Sequence, residues 1–130
     1  MAKEAAAHVL VIDDSEIARV DMTQRLVGAG YKVYSLDSPI GATRVIVEQS
    51  IDVVVIDVQM DSLRGDRLAA LFRSNPRFSS LGVILVTGSD DAQLAQLSVD
   101  AQADAVLAKR ELDRLVPTVK VLLDKYRVAR

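Results

Sequence analysis

The chain has 130 residues, half of them hydrophobic, with three tyrosines, two phenylalanines, no tryptophan, no cysteine and a net charge of -2. That length fits one domain, residues 1–130, with an aliphatic core, and the missing thiols exclude disulfides and thiolate metal sites. An isoelectric point near 5.3 gives no basic field for direct binding to nucleic acid, and the stretch Met1 to Ala7 lacks the apolar segment of a signal peptide, so a cytoplasmic protein without membrane contact is expected.

The first strand, His8 to Ile12, runs into Asp13-Asp14. Ser15 then suits the N-cap of a helix from Glu16 to about Ala29, and Gly30 the left-handed residue that ends it. Ile17, Val20 and Val27 share one face, widened by Met22 and Leu26, while Arg19, Asp21 and Arg25 can face water. His8, the only histidine, falls at the start of its strand and reads as a surface residue. Tyr31 to Leu36 alternates only briefly, as an exposed edge strand would. Asp37-Ser38-Pro39 opens a second helix reaching about Gln49, with Ile40, Val45 and Ile46 inward.

From Ile51 to Ile56 every residue but Asp52 is branched and apolar, the pattern of a central parallel strand greasy on both faces. Asp57 follows directly and would emerge at the carboxyl end, where open α/β sheets place their ligand crevices. Taken alone, it could equally open a turn. Asp61 to Asp66 reads as a loop, followed by a helix with Leu68, Leu71 and Phe72 inward, stopped at Asn75-Pro76. Arg73 to Ser80 reads as a solvated loop. A fourth strand, Gly82 to Val86, leads through Thr87-Gly88-Ser89 to the acidic helix start Asp90-Asp91, with Leu94, Leu97 and Ala101 inward. A fifth, Ala105 to Ala108, delivers Lys109. Leu112, Leu115, Val116, Val119, Leu122, Leu123 and Tyr126 then form a helical stripe. Pro117 lies inside it, so either the helix starts near Pro117 or the ring costs about 3 kcal/mol.

Five strands alternating with five helices predict an α/β fold, a flavodoxin-like (βα)5 doubly wound parallel five-stranded sheet with strand order 2-1-3-4-5. That order sets the first and third strands side by side. Asp13, Asp14 and Asp57 then meet at one rim, with Thr87 and Lys109 on the neighbouring strand ends. At roughly 4 Å and an effective dielectric near 20, each carboxylate pair repels by about 4 kcal/mol, so the cluster calls for a cation. Oxygen donors alone favour a hard ion, and Mg²⁺ fits best.

Four segments in order carry a resemblance: Val11-Ile12-Asp13-Asp14-Ser15, Asp57-Val58-Gln59-Met60 followed by Gly65, Val86-Thr87-Gly88, and Lys109 after the fifth strand. Over essentially its whole length the chain resembles a receiver (response regulator) domain of bacterial two-component signalling systems. The resemblance implies that Asp57 accepts a phosphoryl group from a sensor histidine kinase or phosphotransfer protein. It implies Mg²⁺ held by Asp14 directly, by Asp13 through water and by the backbone carbonyl of Gln59, with Asp57 also in the metal site and Thr87 and Lys109 on the phosphoryl oxygens. Phosphotransfer and slow hydrolysis would be self-catalysed, so the protein would not be a turnover enzyme. Output would pass to a downstream protein partner. The last strand and helix, bearing Glu111, Asp113, Arg114, Lys120 and Asp124, offer a face for that partner or for a homodimer.

The match lapses at four positions. Val106 stands where the family carries an aromatic ring that swings inward, Arg110 and Asp61 where it carries prolines, and Gln102 where it carries a glycine before the fifth strand. A non-glycine at a left-handed position predicts a rebuilt turn there. The departures at Gln102, Val106 and Arg110 support an alternative, a phosphorylation-independent pseudo-receiver acting as an adaptor or dimerisation module. A metal-dependent phosphatase with an aspartyl nucleophile would want a second acid two residues on, and that position is Gln59.

Overall fold

The computed structural model describes residues 6–88 and 102–129. The strands are β1 (His8–Ile12), β2 (Lys32–Leu36), β3 (Val53–Asp57), β4 (Gly82–Thr87) and β5 (Ala105–Ala108), and the helices are α1 (Glu16–Gly28), α2 (Ala42–Glu48), α3 (Gly65–Arg73) and α4 (Leu115–Ala129). All five strands run parallel in the order β2-β1-β3-β4-β5, as the sequence predicts. The helix expected after Thr87, from Asp90 through Leu94, Leu97 and Ala101, lies outside the described residues.

Strand side chains alternate between the two faces, and each face is closed by its own helices. Leu10, Ile12, Val54, Ile56, Val83 and Leu85 pack with Ile46 of α2 and Leu68, Ala69 and Phe72 of α3. Val9, Val11, Val53, Val55, Ile84 and Val86 pack with Met22 and Leu26 of α1 and Leu115, Val119 and Leu122 of α4. Every residue of β3 and β4 is buried, whereas edge strand β2 has none that is. A central strand covered on both sides can be apolar throughout, and this one brings Asp57 to the rim.

The helix faces differ from expectation where two apolar stripes compete. In α1 the inward residues are Met22 and Leu26, with Ala18 half-buried above them, while Ile17 is 85% exposed and Val20 and Val27 also face outward. The spacing 18, 22, 26 is itself a helical stripe, and the Ser15 cap on Ala18 fixes the register that selects it. Arg19 does not extend into water, since its guanidinium donates to the Asp13 carbonyl at 2.8 Å.

The second helix starts later than its Ser38-Pro39 signal. Ala42 N–H first bonds back to the Pro39 carbonyl, and Gly41 takes φ +84° before α2 begins, leaving Ile40 80% exposed. In α3, Leu71 points outward and Ala69 takes the inner position. Pro117 costs α4 no hydrogen bond, because the helix starts at Leu115 and its first-turn N–H groups have no intrahelical acceptor.

Arg73 is not in a solvated loop. Its Nε donates to the Gln102 carbonyl at 3.0 Å and Nη1 to the Leu81 carbonyl at 2.7 Å, and Nη2 pairs with the buried Asp104 carboxylate. Asp104 also accepts from Val83 N–H at 2.8 Å, Tyr126 Oη at 2.7 Å and Lys125 Nζ at 2.9 Å. Burial alone would push the Asp104 carboxyl up, but Lys125, the Val83 amide, Tyr126 and Arg73 together hold it below its ordinary value. This cluster ties α3, β4, β5 and α4 together. It also explains why the turn before β5 is not rebuilt: Gln102 keeps the left-handed conformation, φ +56°, with its carbonyl held by Arg73.

An acidic pocket at the carboxyl edge of the sheet

β1 and β3 are neighbours with Ile12 opposite Ile56, so the residues that follow, Asp13 and Asp57, leave the sheet side by side. Both are buried, while Asp14 is exposed. Each of the three offers a carboxylate oxygen, and these oxygens lie within 4.8 Å of one another. Lys109, directly after β5, reaches in from the other side, with Nζ 3.4 Å from Asp57 Oδ1 and 3.6 Å from Asp13 Oδ2.

Local hydrogen bonds orient the carboxylates. Asp13 Oδ1 accepts from Ser15 N–H at 2.8 Å, Asp14 Oδ2 from Asp61 N–H at 3.2 Å and Asp57 Oδ1 from Gln59 N–H at 3.3 Å. Burial, and then the negative charge of Asp13, push the Asp57 carboxyl up to about 6, against the pull of Lys109. Asp13 Oδ2, fully buried, accepts no hydrogen bond among the described residues. A buried oxygen with spare lone pairs, facing two more carboxylates and backed by one lysine, leaves net negative charge in the pocket. The donor set is all oxygen, so the residues present fit a hard divalent cation.

Thr87 closes β4 beside Asp57, which is opposite Val86 in the ladder, and is opposite Ala108, the residue before Lys109. The strand ends thus bring together all the residues singled out for the site: Asp13, Asp14, Asp57, Gln59, Thr87 and Lys109. His8, at the far end of β1, is half-buried against the Gln49 carbonyl and takes no part.

Two features were not foreseen. Gly65 N–H donates to the Val58 carbonyl at 3.0 Å, drawing the start of α3 against the end of β3. And the side chain of Gln59, expected to give the site only its backbone carbonyl, crosses to β4: Nε2 donates to Thr87 Oγ1 at 2.8 Å, and Oε1 accepts from Gly88 N–H at 3.2 Å. A contact between residues 28 positions apart leaves no periodic or local signal in sequence.

Comparison with known proteins places this geometry. The response regulator receiver domain family matches residues 9–120. The TorCAD operon transcriptional regulatory protein TorR of Escherichia coli K12 is 28% identical over 124 residues, which are 95% of this chain and 53% of that protein. The sensor histidine kinase RcsC of Salmonella typhi is 30% identical over 123 residues, 94% of this chain but 13% of that protein. The chain therefore spans only part of these relatives. Among solved structures, the signal receiver domain of a signal transduction histidine kinase from Syntrophus aciditrophicus superposes with a TM-score of 0.82 at 25% identity, covering 92% of each chain.

Proposed function

The chain belongs to the response regulator receiver domains, and from that premise we propose that it accepts a phosphoryl group on Asp57 from the phosphohistidine of a sensor histidine kinase or phosphotransfer protein. The observation that carries this reading is the placement of the buried Asp57 carboxylate beside the Asp13 carboxylate, with the Lys109 ammonium 3.4 Å from it, at the open edge of the sheet.

In the transfer, a carboxylate oxygen of Asp57 forms a bond to phosphorus as the phosphorus–nitrogen bond breaks, and the imidazole leaves with a proton. Charge collects on the equatorial phosphoryl oxygens, and catalysis is mostly positioning and electrostatic stabilisation. Lys109 supplies a fixed positive charge, and Thr87 a hydroxyl within reach of the same strand end. Mg²⁺, held by Asp13, Asp14, Asp57 and the backbone carbonyl of Gln59, would neutralise charge on the phosphoryl oxygens. The aspartyl phosphate then hydrolyses slowly, so the protein is a phosphoacceptor and not an enzyme with a turnover substrate.

The output is contact with a downstream protein in the cytoplasm, with the face of β5 and α4 offered to that partner or to a second copy of the chain. No helix among the described residues is long and apolar enough to cross a membrane. Acetyl phosphate with Mg²⁺ should add one phosphoryl group, seen by intact mass, and Asp57→Asn should abolish it. An unmodified wild type, under conditions that label other receivers, would favour the pseudo-receiver adaptor. That second reading rests on Val106, which packs against the core as a half-buried valine where an aromatic switch would need a ring.

A further inference from the structure

The carboxamide of Gln59 contacts two polar groups at the end of β4, the Thr87 hydroxyl and the Gly88 amide. Its orientation follows from chemistry: Gly88 N–H can only donate, so the oxygen of the carboxamide faces Gly88 and its nitrogen is left for Thr87. Meanwhile the Gln59 backbone is anchored at the pocket by its N–H on Asp57 Oδ1. One side chain therefore bridges from the phosphoacceptor's own loop to the neighbouring strand end.

We propose that the Gln59 side chain is a latch, holding Thr87 and Gly88 in the unmodified protein and releasing them when Asp57 carries a phosphoryl group. The inference rests on Asp57 being the phosphoacceptor. A phosphoryl oxygen needs hydrogen-bond donors. In the latched arrangement the Gly88 N–H already serves the carboxamide oxygen, and the Thr87 hydroxyl serves as an acceptor for the carboxamide nitrogen. The Gly88 N–H must therefore leave the carboxamide before it can face an anion, while the bond that Thr87 accepts ties its hydroxyl to the Gln59 side chain. The exchange is downhill once the anion is present, because a hydrogen bond to a charged oxygen is roughly twice as strong as a neutral one. Release is undemanding for Gln59, which is exposed and can turn its amide to water. Gln59 is thus a positioning residue that sets a threshold for the modified state.

Beryllofluoride, a phosphoryl mimic, tests this when titrated with Mg²⁺ into the wild type, Gln59→Met and Gln59→Ala and followed by fluorine NMR. Methionine keeps length and bulk but cannot make the two bonds. With the net value of the hydrogen bonds no longer opposing the ligand, Gln59→Met and Gln59→Ala should bind about three- to tenfold more tightly than the wild type. In the ligand-free protein, the Gly88 amide should exchange with solvent faster in both variants, a change that loss of packing at an exposed side chain would not produce. If the wild type binds beryllofluoride and gains a phosphoryl group while the variants bind no more tightly, or Gly88 exchange is unchanged, the latch is overturned and Asp57 stands. If the wild type neither binds the mimic nor is phosphorylated, the reading of Asp57 fails and the latch goes with it.

Discussion

Gly65 approaches Asp57 so closely that a β-carbon at position 65 would stand 2.1 Å from the Asp57 carbonyl oxygen and 2.8 Å from Ile56 Cγ2. The obstacle is backbone, which cannot turn aside as a flexible side chain can. Gly65→Ala must therefore push α3 away from β3 or shift Asp57 itself. We expect a loss of about 1–3 kcal/mol in urea unfolding, together with slower labelling of Asp57 by acetyl phosphate. Unchanged stability and labelling would mean that the loop between Val58 and Gly65 absorbs the strain.

Mg²⁺ should stabilise the wild type, because it relieves the repulsion among Asp13, Asp14 and Asp57. At a concentration about 100-fold above the dissociation constant the gain is roughly 2.7 kcal/mol, which raises the melting temperature by several degrees. Asp14 is the exposed member of the cluster, so Asp14→Asn can be made without disturbing the core. That variant should lose most of the Mg²⁺ response. An equal response in the two proteins would place the ion elsewhere.

The Arg73–Asp104 pair gives acid sensitivity of a definite sign. Asp104 has a folded-state value below its ordinary one, so the unfolded chain binds more protons in the interval between the two. Its contribution is fully present above about pH 4 and is lost as the pH falls through the depressed folded value. Asp104→Asn leaves Arg73 without its carboxylate and should cost about 3 kcal/mol at pH 7. The deficit relative to the wild type should shrink as the pH is lowered below about 4. Lys125, more than half exposed, should matter far less. A deficit independent of pH would show that the charge on Asp104 is not what stabilises the junction.

Gln102 holds a left-handed backbone at φ +56° with a side chain that is exposed. Glycine adopts that conformation without strain but loses more freedom on folding, and the two effects partly cancel. The hydrogen bond from Arg73 goes to the carbonyl and survives the substitution. Gln102→Gly should therefore raise stability by up to about 1 kcal/mol, read from the urea midpoint at constant slope. Destabilisation would mean that the glutamine side chain contributes to the turn.

The strands were legible because burial on both faces leaves an unbroken apolar run, as from Val53 to Ile56. The strand order followed from right-handed crossovers between sequential strands. Once that order is set, Asp13, Asp57, Thr87 and Lys109 must converge, because each directly follows or ends a parallel strand. Helix faces were less legible. In α1 two apolar stripes overlap, and only docking on β1, with the Ser15 cap, selects Met22 and Leu26 over Ile17 and Val20.

Taken alone, the order of residues determined the fold class, the strand order and the membership of the acidic rim, since hydrophobic period and strand-end position are local properties of the chain. Tertiary structure alone decided that Arg73 is locked to Asp104, that Gly65 must lack a side chain, and that Gln59 reaches Thr87 and Gly88. Those are contacts between distant or differently oriented segments, and their energies depend on distances that no pattern of residue types encodes.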